Sequence, residues 1–210
     1  MKKEDLHGFV TAAPTPFNAA GDIMEDEFQS LVKWLIGQGA TAICVSGDNG
    51  ESWALSAAEK GRLTRLAVDA SAGAVPVITG CSATMLKSSV EFALQAKENG
   101  ASAVLSMPQT YVLKTTRDEL LGRFEKLNAA IDMPIIAYNS PRRAGLNLSL
   151  DDIGAIMDVA PIIGIKESNR DYFHHSHLIN RFADKMAIMV GPCHYIMPGI
   201  ALGAQGYIAT

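Results

Sequence analysis

The chain has 210 residues, of which 48% are hydrophobic and 19% are charged, and its formal net charge is −4. This composition provides a sizeable core and argues against a disordered chain, while the length allows one large domain or two small ones. The negative charge disfavours a nucleic-acid surface, and no apolar run reaches the length of a membrane span. We therefore expect a globular protein that binds neither nucleic acid nor a membrane.

The cysteines and the N-terminal residues bear on the compartment. The first residues, M-K-K-E-D-L-H-G, contain no apolar signal region. Cys44, Cys81 and Cys193 lie far apart, and no C-x-x-C pattern occurs. Because free thiols persist in reducing compartments, we expect a cytoplasmic protein with no disulfide bonds.

Short apolar segments alternate with helical patterns along the chain. Three of the segments follow similar glycine motifs, G-A-T-A-I from residue 39, G-A-S-A-V from residue 100 and G-A-Q-G-Y from residue 203. Each motif is typical of a glycine that ends a helix directly before a strand. Ser56 with Glu59, and Thr116 with Glu119, have the spacing of helix-starting capping boxes. Candidate strands begin near Gly8, Thr41, Val75, Ala103, Pro134, Ile162, Met186 and Gly206.

Eight strands that alternate with helices predict a parallel (β/α)8 barrel, also called a TIM barrel. The alternative is an open doubly wound sheet, but no G-x-G-x-x-G motif follows the first strand. No linker, low-complexity tract or charge block divides the chain, so we predict one domain over residues 1–210.

The stretch from Pro134 to Asn169 contains the most informative pattern. Two short apolar runs follow prolines, and they end in Tyr138 and Lys166, which are 28 residues apart. Helical spacing with a start signal fills the segment between them, from Leu148 to Ala160. Because such a crossover joins adjacent parallel strands, we expect the two side chains at the same end of the sheet, pointing inward.

A lysine at the end of a buried strand indicates either solvent contact or chemistry. Removal from water lowers the pKa of an ammonium group and makes a neutral, nucleophilic amine available. Such an amine forms a Schiff base with a carbonyl substrate, and a nearby tyrosine hydroxyl can move the protons. The plain alternative is that Lys166 leans into solvent beside Glu167.

At these residues the chain resembles a known family. Y-N-S-P-R-R-A-G from Tyr138 and G-I-K-E-S from Gly164 are similar to motifs of the N-acetylneuraminate lyase and dihydrodipicolinate synthase family. The resemblance covers nearly the whole chain. It implies a (β/α)8-barrel class I aldolase that binds pyruvate or another 2-oxo acid on Lys166, with Tyr138 as the proton shuttle. It implies no metal and no organic cofactor.

The resemblance also implies a set of substrate-binding residues. Arg143 matches an arginine that binds a second carboxylate, whereas Arg142 is expected to face solvent. Asp48 and Asn49 stand where the family has two hydroxyl residues that contact the tyrosine and the pyruvate carboxylate. Asp48 could accept a hydrogen bond from Tyr138, but its charge would oppose a substrate carboxylate. The predicted substrate-binding residues are Gly47, Asp48, Asn49, Gly50, Glu51, Arg143 and Ile208.

Other positions carry weaker signals. Gln109 and Thr110 stand where the synthases usually have an aromatic pair, and Tyr111 follows one place later. Tyr111 and His194 are possible site residues, the second because it follows the seventh strand. The histidines near the sixth helix lack a carboxylate at metal-site spacing, so we expect a solvated helix start rather than a metal site at His174, His175 and His177.

Together these patterns predict a lyase or aldolase that forms a Schiff base with a 2-oxo acid. The alternatives are a dehydratase of a deoxy-oxo sugar acid, a dihydrodipicolinate synthase, and a non-catalytic binding relative. The family usually continues beyond the eighth strand with a helix and a further helical region, whereas this chain ends at Thr210. We expect an apolar patch there, and a homo-oligomer, either a dimer or a tetramer.

Overall fold

The computed structural model describes residues 1–112 and 114–209. Eight strands occur in chain order, and their ranges are Gly8–Ala12 (β1), Ala42–Val45 (β2), Val77–Gly80 (β3), Ala103–Ser106 (β4), Ile135–Asn139 (β5), Ile162–Glu167 (β6), Ala187–Val190 (β7) and Gly206–Ala209 (β8). Every strand lies within two residues of its predicted start.

A helix lies in each of the seven gaps between consecutive strands, and the gap between β5 and β6 holds two helices. Their ranges are Glu25–Gly37 (α1), Ala57–Ser71 (α2), Leu86–Glu98 (α3), Arg117–Ile131 (α4), Pro141–Ala144 (α5), Leu150–Val159 (α6), Tyr172–Phe182 (α7) and Ile196–Ala201 (α8). One-turn 3-10 helices occur at Lys3–Asp5, Asp48–Gly50 and Cys193–Tyr195.

The strands form a closed parallel barrel in the order β1 to β8, with β8 paired to β1. This closure confirms the predicted (β/α)8 barrel and excludes the open doubly wound sheet. The glycines of the three repeated motifs have the expected helix-ending geometry, because Gly39, Gly100 and Gly203 have φ of 92°, 90° and 106°. Such left-handed backbone is readily adopted only by glycine.

Side chains at the helix starts also match the sequence patterns. Ser56, Thr116 and Ser149 each accept a hydrogen bond from the backbone N–H three residues ahead, and the acidic residue at that position bonds back. The capping boxes were therefore predicted correctly, including the one that begins α6 between β5 and β6. Within the described ranges, no helix is both long and apolar enough to cross a membrane.

The barrel interior is filled at the end where the strands begin. Leu6, which follows the first one-turn helix, is fully buried in the inner apolar cluster. Gly164 on β6 makes room for it, because a Cβ there would lie 2.5 Å from a Leu6 methyl carbon. The opposite end, where the strands finish, is the end at which barrel enzymes carry their active sites.

Candidate active site

Tyr138 and Lys166 lie side by side at the C-terminal ends of β5 and β6. They are direct partners in the strand register, and the Lys166 Nζ lies 4.5 Å from the centre of the Tyr138 ring. Each residue is only 7% exposed, and Tyr138 belongs to the inner apolar cluster of the barrel. The prediction that both side chains share one end of the barrel is confirmed, and Lys166 does not lean into solvent.

Asp48 connects Tyr138 to Arg143. The Tyr138 hydroxyl donates to Oδ2 of Asp48 at 3.3 Å, and Arg143 Nε lies 3.4 Å from the same oxygen. The Asp48 side chain is 14% exposed, whereas that of Arg143 is 51% exposed. Asp48 is therefore the hydrogen-bond acceptor of the tyrosine, as the sequence suggested, and its charge is partly balanced by the guanidinium.

The turn after β2 places Asp48 over the barrel. The backbone of this turn reverses direction at two residues with left-handed conformation, Ser46 with φ of 51° and Glu51 with φ of 55°. Gly50 is buried beneath the exit of β1, and its carbonyl accepts a hydrogen bond from Thr15 at 2.8 Å. A Cβ on Gly50 would lie 2.9 Å from the Ala13 carbonyl oxygen, so glycine permits this close approach. The side chains of Asn49 and Glu51 are exposed.

The loop after β5 carries Arg143 on the short helix α5. Pro141 starts this helix, and Gly145 ends it with φ of 76°. Arg143 lines two cavities near Tyr138. One has a volume of about 450 Å³ and is also lined by Asp48, Trp53, Phe92 and Met107, among others. The other, of about 260 Å³, is lined by Tyr138, Ser140, Arg142, Arg143, Ser168, Arg170, Gly191, Pro192, Cys193 and His194.

Two larger depressions, each of about 530 Å³, lie elsewhere on the surface. One is lined mainly by α4 residues such as Lys126, and the other by residues of α6 and α7 such as Asp158. Neither includes Tyr138, Lys166 or Asp48 in its lining. These two depressions therefore lie outside the candidate site.

The remaining predicted residues are dispersed. His194 lines the smaller cavity, at the predicted end of the barrel. Ile208 is fully buried in the inner cluster, where β8 closes against β1. Tyr111 has a left-handed backbone with φ of 72°, and its side chain is 87% exposed. Tyr111 is not among the residues that line either of the two cavities near Tyr138.

A buried polar network behind Lys166 was not predicted. Glu167 is fully buried, and its carboxylate accepts hydrogen bonds from Asn139 Nδ2 at 3.0 and 3.1 Å and from the Asn169 backbone N–H at 2.6 Å. Asn147, from the loop before α6, accepts from the side-chain amides of Asn139 and Asn169 at 3.1 and 2.9 Å. This network joins the ends of β5 and β6, and therefore fixes the strands that carry Tyr138 and Lys166.

The expectation of a solvated start for α7 is wrong for two of the three histidines. His175 is fully buried, and its Nε2 lies 2.7 Å from the Asn169 carbonyl oxygen. His174 Nε2 lies 3.3 Å from a Glu167 carboxylate oxygen, and this contact raises the pKa of His174. Only His177 is exposed. The missed signal is periodicity, because residue 175 is in helical phase with the buried residues Leu178, Ile179 and Phe182.

Two other buried groups lie near the site. Lys60 on α2 is fully buried, donates to the Ser52 carbonyl at 2.8 Å, and lies 4.7 Å from the centre of the Phe92 ring. Burial lowers the pKa of Lys60 to about 8. Burial likewise raises the pKa of the Cys44 thiol to about 11, against the opposing influence of nearby Lys166. Periodicity is again the missed signal, because residue 60 is in helical phase with the buried residues Leu63, Thr64 and Ala67.

Comparisons with known proteins agree with this architecture. The model of the dihydrodipicolinate synthetase family matches residues 5–210. A 4-hydroxy-tetrahydrodipicolinate synthase from Maridesulfovibrio salexigens is 33% identical over 206 residues, which are 98% of this chain and 70% of that protein.

Solved structures give the same result. Dihydrodipicolinate synthase from Acinetobacter baumannii, crystallised with pyruvate, has a TM-score of 0.92 and 29% identity, covering 98% of this chain and 70% of the other. N-acetylneuraminate lyase from Mycoplasma synoviae has a TM-score of 0.87 and 25% identity, covering 98% and 69%. These matches confirm the resemblance found in the sequence motifs, and the chain belongs to the dihydrodipicolinate synthetase family.

Proposed function

We propose that the chain is a class I lyase or aldolase that binds pyruvate or another 2-oxo acid as a Schiff base on Lys166. The observation that carries this proposal is the buried lysine amine against the ring of Tyr138, with the tyrosine hydroxyl bound to Asp48. The family membership and a relative solved with pyruvate support the same chemistry.

The first step joins the amine to the ketone. The neutral Lys166 Nζ attacks the carbonyl carbon and passes one of its two protons, through Tyr138, to the carbonyl oxygen. A second proton from solvent lets that oxygen leave as water, which gives a protonated imine. Tyr138 carries protons to and from that oxygen, while Asp48 orients the hydroxyl by accepting its hydrogen bond. The cationic imine then accepts the electron pair of the bond between the α and β carbons and becomes an enamine, while the β-hydroxyl gives its proton to a base and becomes the aldehyde. That bond can therefore break, or form in reverse, without a metal or organic cofactor.

The carboxylate of the 2-oxo acid needs donors beside the imine. We assign this role to the turn from Gly47 to Glu51. In the described part of the chain, the backbone N–H groups of Asp48 and Asn49 donate to no other residue, so both are available to an anion. The negative charge of Asp48 opposes the same carboxylate, and Arg143 offsets it from 3.4 Å.

Borohydride trapping tests the proposal. With pyruvate and with longer 2-oxo acids, reduction should attach the acid irreversibly to the peptide that contains Lys166, as read by mass spectrometry. Lys166→Ala should abolish labelling, and Tyr138→Phe should slow it by roughly 10²–10⁴-fold, the usual contribution of a positioned acid or base. If no 2-oxo acid labels Lys166 in the folded protein, the chain is a binding relative rather than an enzyme.

A synthase that condenses the bound pyruvate with an aldehyde is a second candidate. It is favoured by the 33% identity to a 4-hydroxy-tetrahydrodipicolinate synthase. Gln109 and Thr110, however, follow β4 where an aromatic pair is typical of the synthases, which favours cleavage or dehydration of a sugar acid. Supplying the untreated enzyme with pyruvate and an amino-acid aldehyde, and following the consumption of pyruvate, distinguishes the two.

We further propose that the protein is a cytoplasmic homo-oligomer, either a dimer or a tetramer. Its cysteines are free, which suits a reducing compartment. Trp53 and Met85, at 69% and 64% exposure, line the same cavity, and exposed apolar surface of this kind often marks an interface. Analytical ultracentrifugation should give a mass above that of one chain, and Trp53→Lys should shift it towards the monomer.

A further inference from the structure

The smaller cavity beside Tyr138 has a strongly cationic wall. Of the ten side chains or backbone segments that line it, three belong to arginines, Arg142, Arg143 and Arg170, and one belongs to His194. No aspartate or glutamate is among these described lining residues. The chain as a whole has a net charge of −4, so this local excess of positive charge opposes the average surface.

Two of the guanidinium groups have no acidic partner. The Arg143 Nε lies 3.4 Å from the Asp48 carboxylate, which also accepts from Tyr138. Within residues 1–112 and 114–209, neither Arg142 nor Arg170 forms an ion pair. The acidic residue next to Arg170 is already engaged, because the Asp171 carboxylate accepts from backbone N–H groups at the start of α7. Like charges that face one cavity repel each other, and a bound anion relieves that repulsion.

The backbone of this wall is held in place by specific contacts. The Tyr195 hydroxyl donates to the Arg170 carbonyl oxygen at 2.6 Å, which ties the loop after β7 to the loop after β6. The Tyr195 ring also contacts the rings of His194 and His175, with centroids 4.4 and 5.0 Å away. Arg142 lies on α5, which is closed by a hydrogen bond from the Gly145 N–H. The side chains of Arg142 and Arg170 are exposed, as expected for Arg142, and these contacts order the backbone that carries them.

We propose that this cavity binds a terminal phosphate monoester of the substrate, at the end of the carbon chain remote from the ketone. The proposal rests on the proposed Schiff base at Lys166, since Tyr138 lines the cavity and contacts that lysine. A phosphate monoester carries nearly two negative charges and three acceptor oxygens, and arginine binds such groups with two parallel hydrogen bonds. The volume of about 260 Å³ is below the ~300–1,000 Å³ of whole-ligand pockets and suits one substituent.

A terminal carboxylate is a weaker match for the same wall. It offers a single charge and two oxygens to two unpaired guanidinium groups. The phosphate has three oxygens and can accept hydrogen bonds from both groups. The substrate class is therefore a 2-oxo acid whose carbon chain ends in a phosphate group.

Trapping at Lys166 provides the test. Three acids with the same carbon skeleton are compared, ending in a phosphate, a hydroxyl or a carboxylate. The phosphorylated acid should reach half-saturation at a concentration about 10- to 100-fold lower than the hydroxyl form, the effect of one charged hydrogen bond or more. Arg142→Ala and Arg170→Ala should each reduce that ratio towards one. Arg65→Ala is the matched control, because Arg65 lies on α2 and pairs with Asp69.

Direct binding separates this proposal from the Schiff base itself. Inorganic phosphate, titrated calorimetrically at low salt, should bind the wild type and Lys166→Ala alike, and binding should be lost when Arg142 and Arg170 are both replaced by alanine. The calorimetric measurement of phosphate binding remains informative even if no acid labels Lys166. The proposal is overturned if phosphate binding is absent or survives the double replacement. It is equally overturned if the phosphorylated acid has no advantage, or if the carboxylate form saturates first.

Discussion

Replacing Asp48 by asparagine tests the link between Asp48 and Tyr138. The change keeps the shape of the side chain but removes the charge that accepts the tyrosine hydroxyl at 3.3 Å. A hydrogen bond to a charged group contributes about 1.5–3 kcal/mol, which corresponds to roughly a 10- to 150-fold slower reaction if the bond acts in the transition state. The contact with Arg143 adds little, because that side chain is 51% exposed and the pair is screened by solvent.

The same substitution should have an opposite effect on substrate binding. Asp48 places a negative charge where the carboxylate of a 2-oxo acid approaches, so its removal should lower the half-saturating concentration while the maximal rate falls. Single-turnover trapping with borohydride, at several concentrations of acid, measures both quantities. Asp69→Asn, which neutralises an exposed carboxylate on α2, is the control. An unchanged or faster maximal rate for Asp48→Asn would refute the role of Asp48 in orienting the Tyr138 hydroxyl.

Three further predictions concern the surrounding residues. Glu167→Ala should lower the free energy of unfolding, measured in urea, by about 3–5 kcal/mol. The substitution removes a buried carboxylate that accepts three hydrogen bonds, and its donors are left unpaired. The pKa of His174 is raised by Glu167, so its stabilising contribution is full below its ordinary value of 6.5 and is lost as pH rises through the higher folded value. His174→Gln should therefore flatten the decline in stability above pH 6.5. Arg143→Ala should raise KM for a dicarboxylic or sugar-acid substrate by roughly 10–100-fold.

Each of these predictions has a clear contrary outcome. Glu125 is exposed on α4, and if Glu167→Ala costs no more stability than Glu125→Ala, the network does not hold the strand ends. A pH profile of unfolding that is identical with and without His174 would show that the ion pair contributes nothing. An unchanged KM for Arg143→Ala would leave Arg143 only its structural contact with Asp48.

The barrel and the adjacency of Tyr138 and Lys166 were predictable from the sequence, because both depend on local patterns. Tyr138 and Lys166 each close a short apolar run after a proline, and one helical segment separates them. That spacing determines a crossover and therefore adjacent strand ends. The contact between Asp48 and Tyr138 could be suggested only through the family motif, since 90 residues separate them in the chain.

The buried network could not be predicted, because it depends on which face of β6 is covered. Alternate residues of a strand point to opposite faces, so an inward Lys166 sends Glu167 towards the helices. Whether a carboxylate there is exposed or buried depends on how α7 packs, and the sequence read locally favours exposure. The same limit applies to Arg170, whose importance appears only when the loops after β6 and β7 are brought together by the Tyr195 hydroxyl.

The hydrogen bond from Tyr138 to Asp48 also depends on the closure of the barrel. Lys166 and Tyr138 come from consecutive, paired strands, so their contact is local to β5 and β6. Asp48 follows β2, which is separated from β5 by two strands of the closed sheet, and its carboxylate reaches Tyr138 across the C-terminal end of the barrel. A change that opens or widens the barrel should therefore separate Asp48 from Tyr138 while the neighbouring contact between Tyr138 and Lys166 persists.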